Sequence, residues 1–328
     1  MKTQLIENRY QLLSFNFVTA YVITMRPYLM FVSGITGIAG LSFGEMSFVS
    51  IVFLFSAAFL SYGFGQALTD CFQIDTDSIS SPYRPLTQGL VSRSHILFVS
   101  ITGLAYCVLI YTLFNPVNLI LGIISGLGLA TYTPFKRKWW GGPFYNSWIV
   151  GLLFTMSFLS SVNALPAFHS NRFILSLCAV FFGYANFVLS GYFKDISADR
   201  ATGYNTLPVV FGRKTSAVIS DVLAFLTLAF ALAAMLTIFN GKNLGSIKLI
   251  SFMFLAVSVI ISAIAQVRLH LVKKDEEAHK SISLVVHVYI LSLSAIAAAN
   301  KPEWSLFLFA FYLVYLFVLK IRPAKNQI

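Results

Sequence analysis

The sequence predicts an all-α, polytopic transmembrane helix bundle of nine to ten spans, with a central cavity that opens to the cytoplasmic side. Of the 328 residues, 57% are hydrophobic and only 11% are charged. A soluble domain usually carries about a quarter charged residues, so this composition excludes a soluble or disordered protein. The mean hydropathy is +0.78, and long apolar runs recur along the whole chain.

The apolar runs can be matched to membrane spans because a helix needs about 20 apolar residues to cross the bilayer core. Ten runs approach or reach this length: 27–43, 49–68, 94–114, 117–132, 146–164, 171–191, 216–238, 247–268, 282–299 and 304–320. The runs at 117–132 and 282–299 are the weakest. The predicted organisation is an N-terminal interfacial segment at 1–26, a membrane domain at 27–320 and a short tail at 321–328.

The charge distribution predicts the orientation of these spans. The chain has 23 Lys and Arg against 12 Asp and Glu, a net charge of +11. With a cytoplasmic N-terminus, all but four of the basic residues lie on the cytoplasmic side; the four are Arg172, Lys242, Lys248 and Lys301. Such a bias is typical of a multi-pass membrane protein with cytoplasmic N- and C-termini, which requires an even number of spans. Nucleic-acid binding would require a basic soluble domain, and the sequence contains none.

Five of the twelve acidic residues lie in two short stretches, TDCFQIDTD at 69–77 and DISAD at 195–199. Each stretch directly follows an apolar run. Four predicted spans separate them, so both stretches open on the same, cytoplasmic side. Ionisable residues next to membrane spans are candidates for function.

The spacing of the acids sharpens this interpretation. If the span continues as a helix, Asp70 and Asp77 share one face, with Gln73 between them. Asp195 and Asp199 are four residues apart and also share a face. Two facing carboxylate pairs repel each other unless a cation lies between them, and Mg²⁺ binds one or two carboxylates together with waters and phosphate oxygens. The alternative interpretation is that these acids only mark the ends of loops at the water interface.

Basic residues accompany both acidic stretches. Arg84 follows Asp77 by seven residues, Lys136 lies in the cytoplasmic loop between the two stretches, and Lys194 and Arg200 flank the second one. Arginine and lysine are the residues that bind phosphate oxygens. Acids and bases on one membrane face therefore predict a diphosphate held by magnesium, with the basic side chains on its remaining oxygens.

These stretches carry a family resemblance. The first, at 69–77, resembles the NDxxDxxxD motif of the UbiA superfamily of intramembrane prenyltransferases, and the PxRP element of that family follows at 82–85. The second resembles the DxxxD motif with its trailing DRxxGxxTLP, at 195–208. The YxxxK element matches at 132–136. In order and spacing, the resemblance extends from about residue 26 to residue 212.

The resemblance implies transfer of an isoprenyl chain from an allylic isoprenyl diphosphate to an aromatic or lipid-like acceptor, with Mg²⁺ as the cofactor. It implies that residues 27–320 form one prenyltransferase-like domain whose cavity also opens sideways into lipid. By position, the four motif aspartates would be catalytic and, with Gln73, would hold magnesium: Asp70, Asp77, Asp195 and Asp199. The implied diphosphate-binding residues are Arg84, Lys136, Lys194, Arg200 and Tyr132.

The sequence departs from the family pattern at two positions of the first motif. Thr69 stands where the family has Asn, and Gln73 stands where it has the middle Asp. Loss of a carboxylate lowers the negative charge of the first magnesium site, and Asp75 is an additional acid in a position to compensate. Ten spans would also be one more than the nine typical of the family.

Two other functions remain open from the sequence. A UbiA-type terpene cyclase would share both acidic motifs, because there the substrate's own double bond captures the allylic cation. A transporter or channel would place acids within the spans, where Asp221 is the main example in this chain. In a prenyltransferase and in a terpene cyclase alike, aromatic rings would shield and stabilise the allylic cation. The candidates for this role are Phe72, Tyr132, Phe144, Tyr145, Phe187, Tyr192 and Phe193.

Overall fold

The computed structural model describes residues 9–162, 169–239 and 245–322, without side chains at 245–248, and every regular element in these ranges is a helix. The described residues do not include the two ends of the chain, at 1–8 and 323–328, or the loop residue Lys242. The α-helices are α1 Phe15–Met25, α2 Met30–Leu41, α3 Phe48–Asp70, α4 Ile74–Ser80, α5 Arg93–Phe114, α6 Val117–Lys136, α7 Gly142–Val162, α8 Asn171–Tyr192, α9 Ile196–Ala201, α10 Leu207–Phe239, α11 Gly245–Leu271, α12 His279–Asn300 and α13 Ser305–Lys320.

Nine helices in the described ranges are long and apolar enough to cross a membrane. They coincide with nine of the ten predicted runs, including the two weakest ones at 117–132 and 282–299. The predicted all-α bundle of membrane-spanning length is therefore confirmed. A tenth span results only if α1 and α2 are counted together as one span, bent by 40°.

The predicted first span at 27–43 differs from the structure. Helix α2 covers only 12 residues, about 18 Å of helix, which is too short for the hydrocarbon core. Pro27 causes the break, because a proline lacks an N–H donor and disfavours helical geometry in the residue before it. That residue, Arg26, adopts a left-handed conformation with φ 54°.

Local sequence signals explain where several helices begin. Four helices start after a serine whose hydroxyl accepts a hydrogen bond from the backbone N–H three residues later: Ser14, Ser47, Ser92 and Ser170. This is the preferred N-cap arrangement. Helix α10 contains one break, at Gly212, where φ is 79°. A left-handed backbone of this kind is accessible to glycine without steric cost.

Helix α12 lies at the centre of the bundle. In its most apolar stretch, 83% of the residues are buried, against 22% in that of α13. Helix α12 packs against α2, α8, α10 and α11. Its second half, 291–300, is rich in alanine and serine, the small residues that allow helices in membranes to approach closely. Helix α12 therefore faces other helices instead of lipid. Its mean hydropathy of 2.1 is above that of five of the other eight spans in the described ranges, so the predicted weakness of this run is not seen in the structure.

Helix α2 is wedged between α3 and α7, and all of its residues are buried. Glycines make the close approach possible. A Cβ on Gly37 would lie 2.4 Å from the Cβ of Ala58, and a Cβ on Gly40 would lie 2.6 Å from the carbonyl oxygen of Phe154. These contacts fix the second half of α2 between α3 and α7.

Candidate active site

The first acidic stretch spans a break between two helices. Helix α3 ends at Asp70 and α4 begins at Ile74, so the continuous helix considered from the seven-residue spacing does not form. A turn at 71–73 joins them, and Asp77 lies in the first turn of α4. Asp70 and Asp77 nevertheless line the same cavity, and Arg84 contacts both of them.

The second acidic stretch is positioned by a cap that comes from a distant loop. Asp195 precedes α9, and Asp199 lies one turn later within it. The carboxylate of Asp195 does not cap the helix. Instead, Asp275, in the connection between α11 and α12, accepts a hydrogen bond of 2.7 Å from the backbone N–H of Ser197 and forms an ion pair with Arg213.

The two short helices bring the two stretches together. Helix α4 packs on α9, and the hydroxyls of Thr76 and Thr202 form a 3.0 Å hydrogen bond between them. The acidic motifs, which are more than a hundred residues apart in the sequence, therefore border one cavity, as their shared side of the membrane predicted.

The carboxylates of the first stretch are paired with arginines. Arg26 donates to both carboxylate oxygens of Asp70 at 2.9 Å, and Gln66 donates to one of them at 2.7 Å. Arg84 forms an ion pair with Asp77 and lies 3.7 Å from Asp70. These four charged residues are all buried, so the pairs compensate the cost of removing their charges from water.

Lys136, at the end of α6, joins the two halves of the cavity. Its Nζ donates a 2.9 Å hydrogen bond to Oε1 of Gln73 and lies 3.8 Å from Oδ1 of Asp199. The rings of Tyr192 and Tyr204 lie 5.5 and 5.3 Å from the same nitrogen, close enough for cation–π attraction. The ammonium group is therefore held between the acidic stretches.

The second pair of carboxylates has unpartnered oxygens. Oδ1 of Asp195 and Oδ1 of Asp199 are buried and accept no hydrogen bond, while Oδ2 of Asp199 accepts one of 3.1 Å from Thr206. Burial raises the pKa of the Asp199 carboxyl to about 7, and the nearby Lys136 opposes this effect. Burial also lowers the pKa of Lys194 to about 8.

Magnesium is compatible with this pair. Within the described ranges, no group of three or more His, Cys, Asp or Glu side chains is arranged to hold a metal ion. Magnesium, however, needs only one or two carboxylates when waters and phosphate oxygens complete its coordination. Two adjacent carboxylates with free, buried oxygens supply that number, and buried unpartnered acceptors of this kind require an explanation.

A second, apolar cavity adjoins the polar one. It lies between α3, α5, α6 and α7, and leucine, valine, isoleucine and methionine side chains form much of its wall. The two cavities share five lining residues: Tyr62, Gln66, Thr69, Asn146 and Tyr184. A molecule with an anionic head and an apolar chain would fit this combination, because each cavity matches one of its parts.

Most of the predicted site residues lie together in the structure. Eight of the ten line the polar cavity: Asp70, Gln73, Asp77, Arg84, Tyr132, Lys136, Lys194 and Asp195. Asp199 is completely buried beside them. Arg200 is exposed and does not line the cavity. Asp75 also does not line the cavity. It pairs with Arg137 and accepts a hydrogen bond from Tyr204.

The sequence interpretation missed several lining residues. From the sequence, Arg26 is only one of the basic residues assigned to the cytoplasmic side, although it directly precedes Pro27 and an apolar run. Tyr62, Gln66, Asn146 and Tyr184 lie within apolar runs, where no pattern distinguished them. Of the predicted aromatic candidates, three line the polar cavity: Tyr132, Phe187 and Tyr192.

Nine apolar helices in the described ranges, together with a buried acid–base cavity that joins an apolar one, define an integral, multi-pass membrane protein with an internal polar site. The model of the UbiA prenyltransferase family matches residues 30–285. The chain belongs to this family. The resemblance that the motifs indicated is thereby confirmed, and so is the class of enzyme, a prenyltransferase.

Curated relatives support the same class. The chain is 28% identical over 234 residues to the digeranylgeranylglyceryl phosphate synthase of Thermococcus kodakarensis, covering 70% of this chain and 82% of that protein. It is 25% identical over 285 residues to the synthase of the same name from Pyrococcus furiosus, covering 85% and 97%.

Solved structures share the fold. The apo structure of a UbiA homolog from Aeropyrum pernix K1 aligns with a TM-score of 0.67 at 20% identity, covering 81% of this chain and 96% of that one. A UbiA homolog from Archaeoglobus fulgidus, bound to GPP and Mg²⁺, aligns with a TM-score of 0.65 at 18% identity, covering 86% and 99%.

Proposed function

We propose that this prenyltransferase is magnesium-dependent and transfers an isoprenyl chain from an allylic isoprenyl diphosphate to a hydrophobic acceptor within the membrane. The observation that carries the proposal is the junction of the polar and apolar cavities, which share Tyr62, Gln66 and Thr69 among their lining residues. The diphosphate occupies the acid–base side and the isoprenyl chain occupies the apolar side. The structural neighbour from Archaeoglobus fulgidus is bound to GPP and Mg²⁺, which supports an isoprenyl diphosphate and Mg²⁺ as ligands of this chain.

The charged residues have distinct roles in this proposal. Carboxylates of the acidic motifs would hold magnesium, which would supply positive charge to stabilise the leaving diphosphate. Arg84, Lys136 and Lys194 bind diphosphate oxygens, and the hydroxyl of Tyr132 assists them. In the structure, the Tyr132 hydroxyl lies 2.8 Å from the Tyr192 hydroxyl. Tyr132 precedes Lys136 by one turn of α6. Arg200 does not enter the proposal, because it is exposed.

Aromatic residues protect the allylic cation. Tyr62, Tyr132, Tyr184, Phe187 and Tyr192 line the polar cavity. Their ring faces attract a cation through the ring quadrupole, and their bulk excludes the water that would otherwise capture it. The rings therefore favour transfer to the acceptor over hydrolysis.

The relatives favour a lipid-like acceptor over an aromatic one. The curated relatives are named digeranylgeranylglyceryl phosphate synthases, and that name describes a glyceryl phosphate lipid as product. An acceptor of this type carries its reactive hydroxyl at the polar end of an apolar chain. We propose that it approaches from the bilayer and that the mouth of the polar cavity faces the cytoplasm, as the distribution of basic residues predicts.

The test uses purified protein in detergent with Mg²⁺ and allylic diphosphates of several chain lengths. Pyrophosphate release and prenylated products are measured with and without lipid-alcohol and aromatic acceptors, and EDTA serves as the metal-free control. Metal-dependent release that requires an acceptor supports the proposal. Release of a cyclic hydrocarbon without acceptor would show a terpene cyclase instead, and absence of release with every donor and acceptor would contradict both.

A further inference from the structure

The first acidic stretch lacks the groups that a second metal ion would require. Thr69 and Gln73 stand where the family motif has Asn and Asp. The Thr69 hydroxyl donates to the backbone carbonyl of Gln66 at 3.0 Å. The side-chain oxygen of Gln73 already accepts a 2.9 Å hydrogen bond from Lys136. Neither position therefore offers a negative oxygen to a cation.

The additional acid in this stretch does not replace the missing carboxylate. Asp75 is about two-fifths exposed, pairs with Arg137 at 3.0 Å and accepts a 3.2 Å hydrogen bond from Tyr204. It does not line the polar cavity. Its contacts connect α4 to the residues that follow α6 and α9, which is a structural role.

The charge balance of this half also disfavours a divalent cation. The two buried carboxylates, on Asp70 and Asp77, are already paired with two buried arginines, Arg26 and Arg84. This group is therefore formally neutral. A carboxylate that is already paired with an arginine attracts a divalent cation less than a carboxylate without such a partner.

The second acidic stretch, in contrast, offers carboxylate oxygens that a metal ion can bind. Oδ1 of Asp195 and Oδ1 of Asp199 are buried and accept no hydrogen bond, and Asp199 has no solvent exposure. Two carboxylates are sufficient for one magnesium ion that also binds waters and phosphate. Neither Oδ1 atom accepts a hydrogen bond, whereas Asp70 and Asp77 are paired with arginines. This difference assigns the metal to the side of Asp195 and Asp199.

We propose that the diphosphate site of this chain uses a single magnesium ion, held by Asp195 and Asp199, and that Gln73 excludes a second one. Arg26, Arg84 and Lys136 take the place of that second ion and bind the phosphate oxygens on their side. The inference rests on the proposed function, because it divides the roles within the same site. Of the metal ligands predicted from the sequence, it keeps only Asp195 and Asp199. It also adds Arg26 to the diphosphate-binding residues.

The experiment counts metal ions directly. Purified protein in detergent is titrated with Mn²⁺ in the presence of saturating inorganic pyrophosphate, and bound Mn²⁺ is quantified by electron paramagnetic resonance. We expect about one bound Mn²⁺ per chain, with the uncoupled six-line spectrum of an isolated ion. Two bound ions per chain with a spin-coupled spectrum would overturn the inference and leave the proposed function intact. If neither Mn²⁺ nor pyrophosphate binds, the proposed function itself fails.

Two matched variants test the role of Gln73. Gln73→Asp restores the carboxylate, and we expect it to bind a second Mn²⁺ and give a coupled spectrum. Gln73→Asn shortens the side chain without adding charge, and we expect it to keep about one ion. If Gln73→Asp still binds one ion, Gln73 does not determine the metal number and that assignment is wrong. Asp199→Asn should lose the single ion, and retention of the ion would contradict its placement.

Discussion

Asp199 illustrates how one residue can be identified from a sequence while its environment cannot. Its position in the DxxxD motif made it a candidate, but only the structure shows that it is fully buried and has an unpartnered oxygen 3.8 Å from Lys136. A group that is this buried normally has all its oxygens hydrogen-bonded. The missing hydrogen bond to Oδ1 is the reason to place a metal ion beside it.

Replacement of Asp199 by asparagine tests this role. The amide oxygen can still accept the hydrogen bond from Thr206, so Asp199→Asn should fold normally. We expect magnesium-dependent pyrophosphate release to fall by about 100-fold or more, because the leaving group loses its charge stabilisation. The control is Asp221→Asn, at an acid on α10 that pairs with His270 outside the site, which should keep normal activity. Equal activity of both variants would contradict the assignment.

Asp275 is a positioning residue that lies outside both motifs. It caps α9 from the loop between α11 and α12, and it pairs with Arg213. In Asp275→Ala, the loss of the cap should lower the stability by about 1–2 kcal/mol. The apparent affinity for Mg²⁺ should fall roughly 10-fold, since groups that orient metal ligands have effects of this size. Thermal unfolding and activity as a function of Mg²⁺ concentration measure the two effects.

Asp275→Asn is the matched control for this prediction. Its amide oxygen can still accept the hydrogen bond from the N–H of Ser197, so most of the Mg²⁺ affinity should return even though the ion pair with Arg213 is lost. A merely structural role would instead lower the stability in both variants and leave the Mg²⁺ dependence unchanged, which would contradict the role of Asp275 in orienting α9.

At the scale of elements, the first acidic stretch shows the limit of arguments from spacing. A seven-residue separation puts two side chains on one face only while the helix continues. Here α3 ends at Asp70, and the chain turns before α4. The two aspartates face one cavity because Arg84 contacts both of them and α4 packs on α9. Both causes depend on tertiary contacts.

Helix α2 provides a test of the packing that supports the site. In Gly40→Ala the new Cβ would lie 2.6 Å from the carbonyl oxygen of Phe154 on α7, and backbone atoms cannot move aside easily. We expect a loss of stability of about 1–3 kcal/mol from overpacking, measured by thermal unfolding in detergent.

The matched control is Gly126→Ala on α6, where a Cβ would meet nothing within 4 Å. Alanine is the better helix former, so this variant should be at least as stable as the wild type. If Gly40→Ala were equally stable, α2 and α7 would not be packed as closely as described.

At the scale of the whole molecule, the orientation predicted from the basic residues can be tested with single cysteines. The native Cys71 and Cys107 are buried, and Cys178 is half-buried, so background labelling should be low. With a cytoplasmic N-terminus, Lys138→Cys lies inside and His169→Cys lies outside. In intact cells, a membrane-impermeant maleimide should label only His169→Cys, and labelling of Lys138→Cys alone would reverse the topology.

The sequence was enough to predict the all-α membrane class, nine of the spans and the two acidic motifs. These features depend on composition, on run length and on the local order of residues, which are properties of the chain alone. It could not determine that 27–43 is a short, buried helix behind a bend at Pro27, or that α12 is the central helix. Both depend on whether a helix faces lipid or other helices, which hydropathy does not report.

The tertiary structure was needed to show how the charges are paired within the site. It paired Arg26 with Asp70 across 44 residues, turned Asp75 away from the cavity and left one oxygen each of Asp195 and Asp199 without a hydrogen bond. The physical reason is that the strength of an electrostatic interaction depends on distance and burial. Sequence separation specifies neither quantity, so residue types predicted the members of the site and the fold assigned their partners.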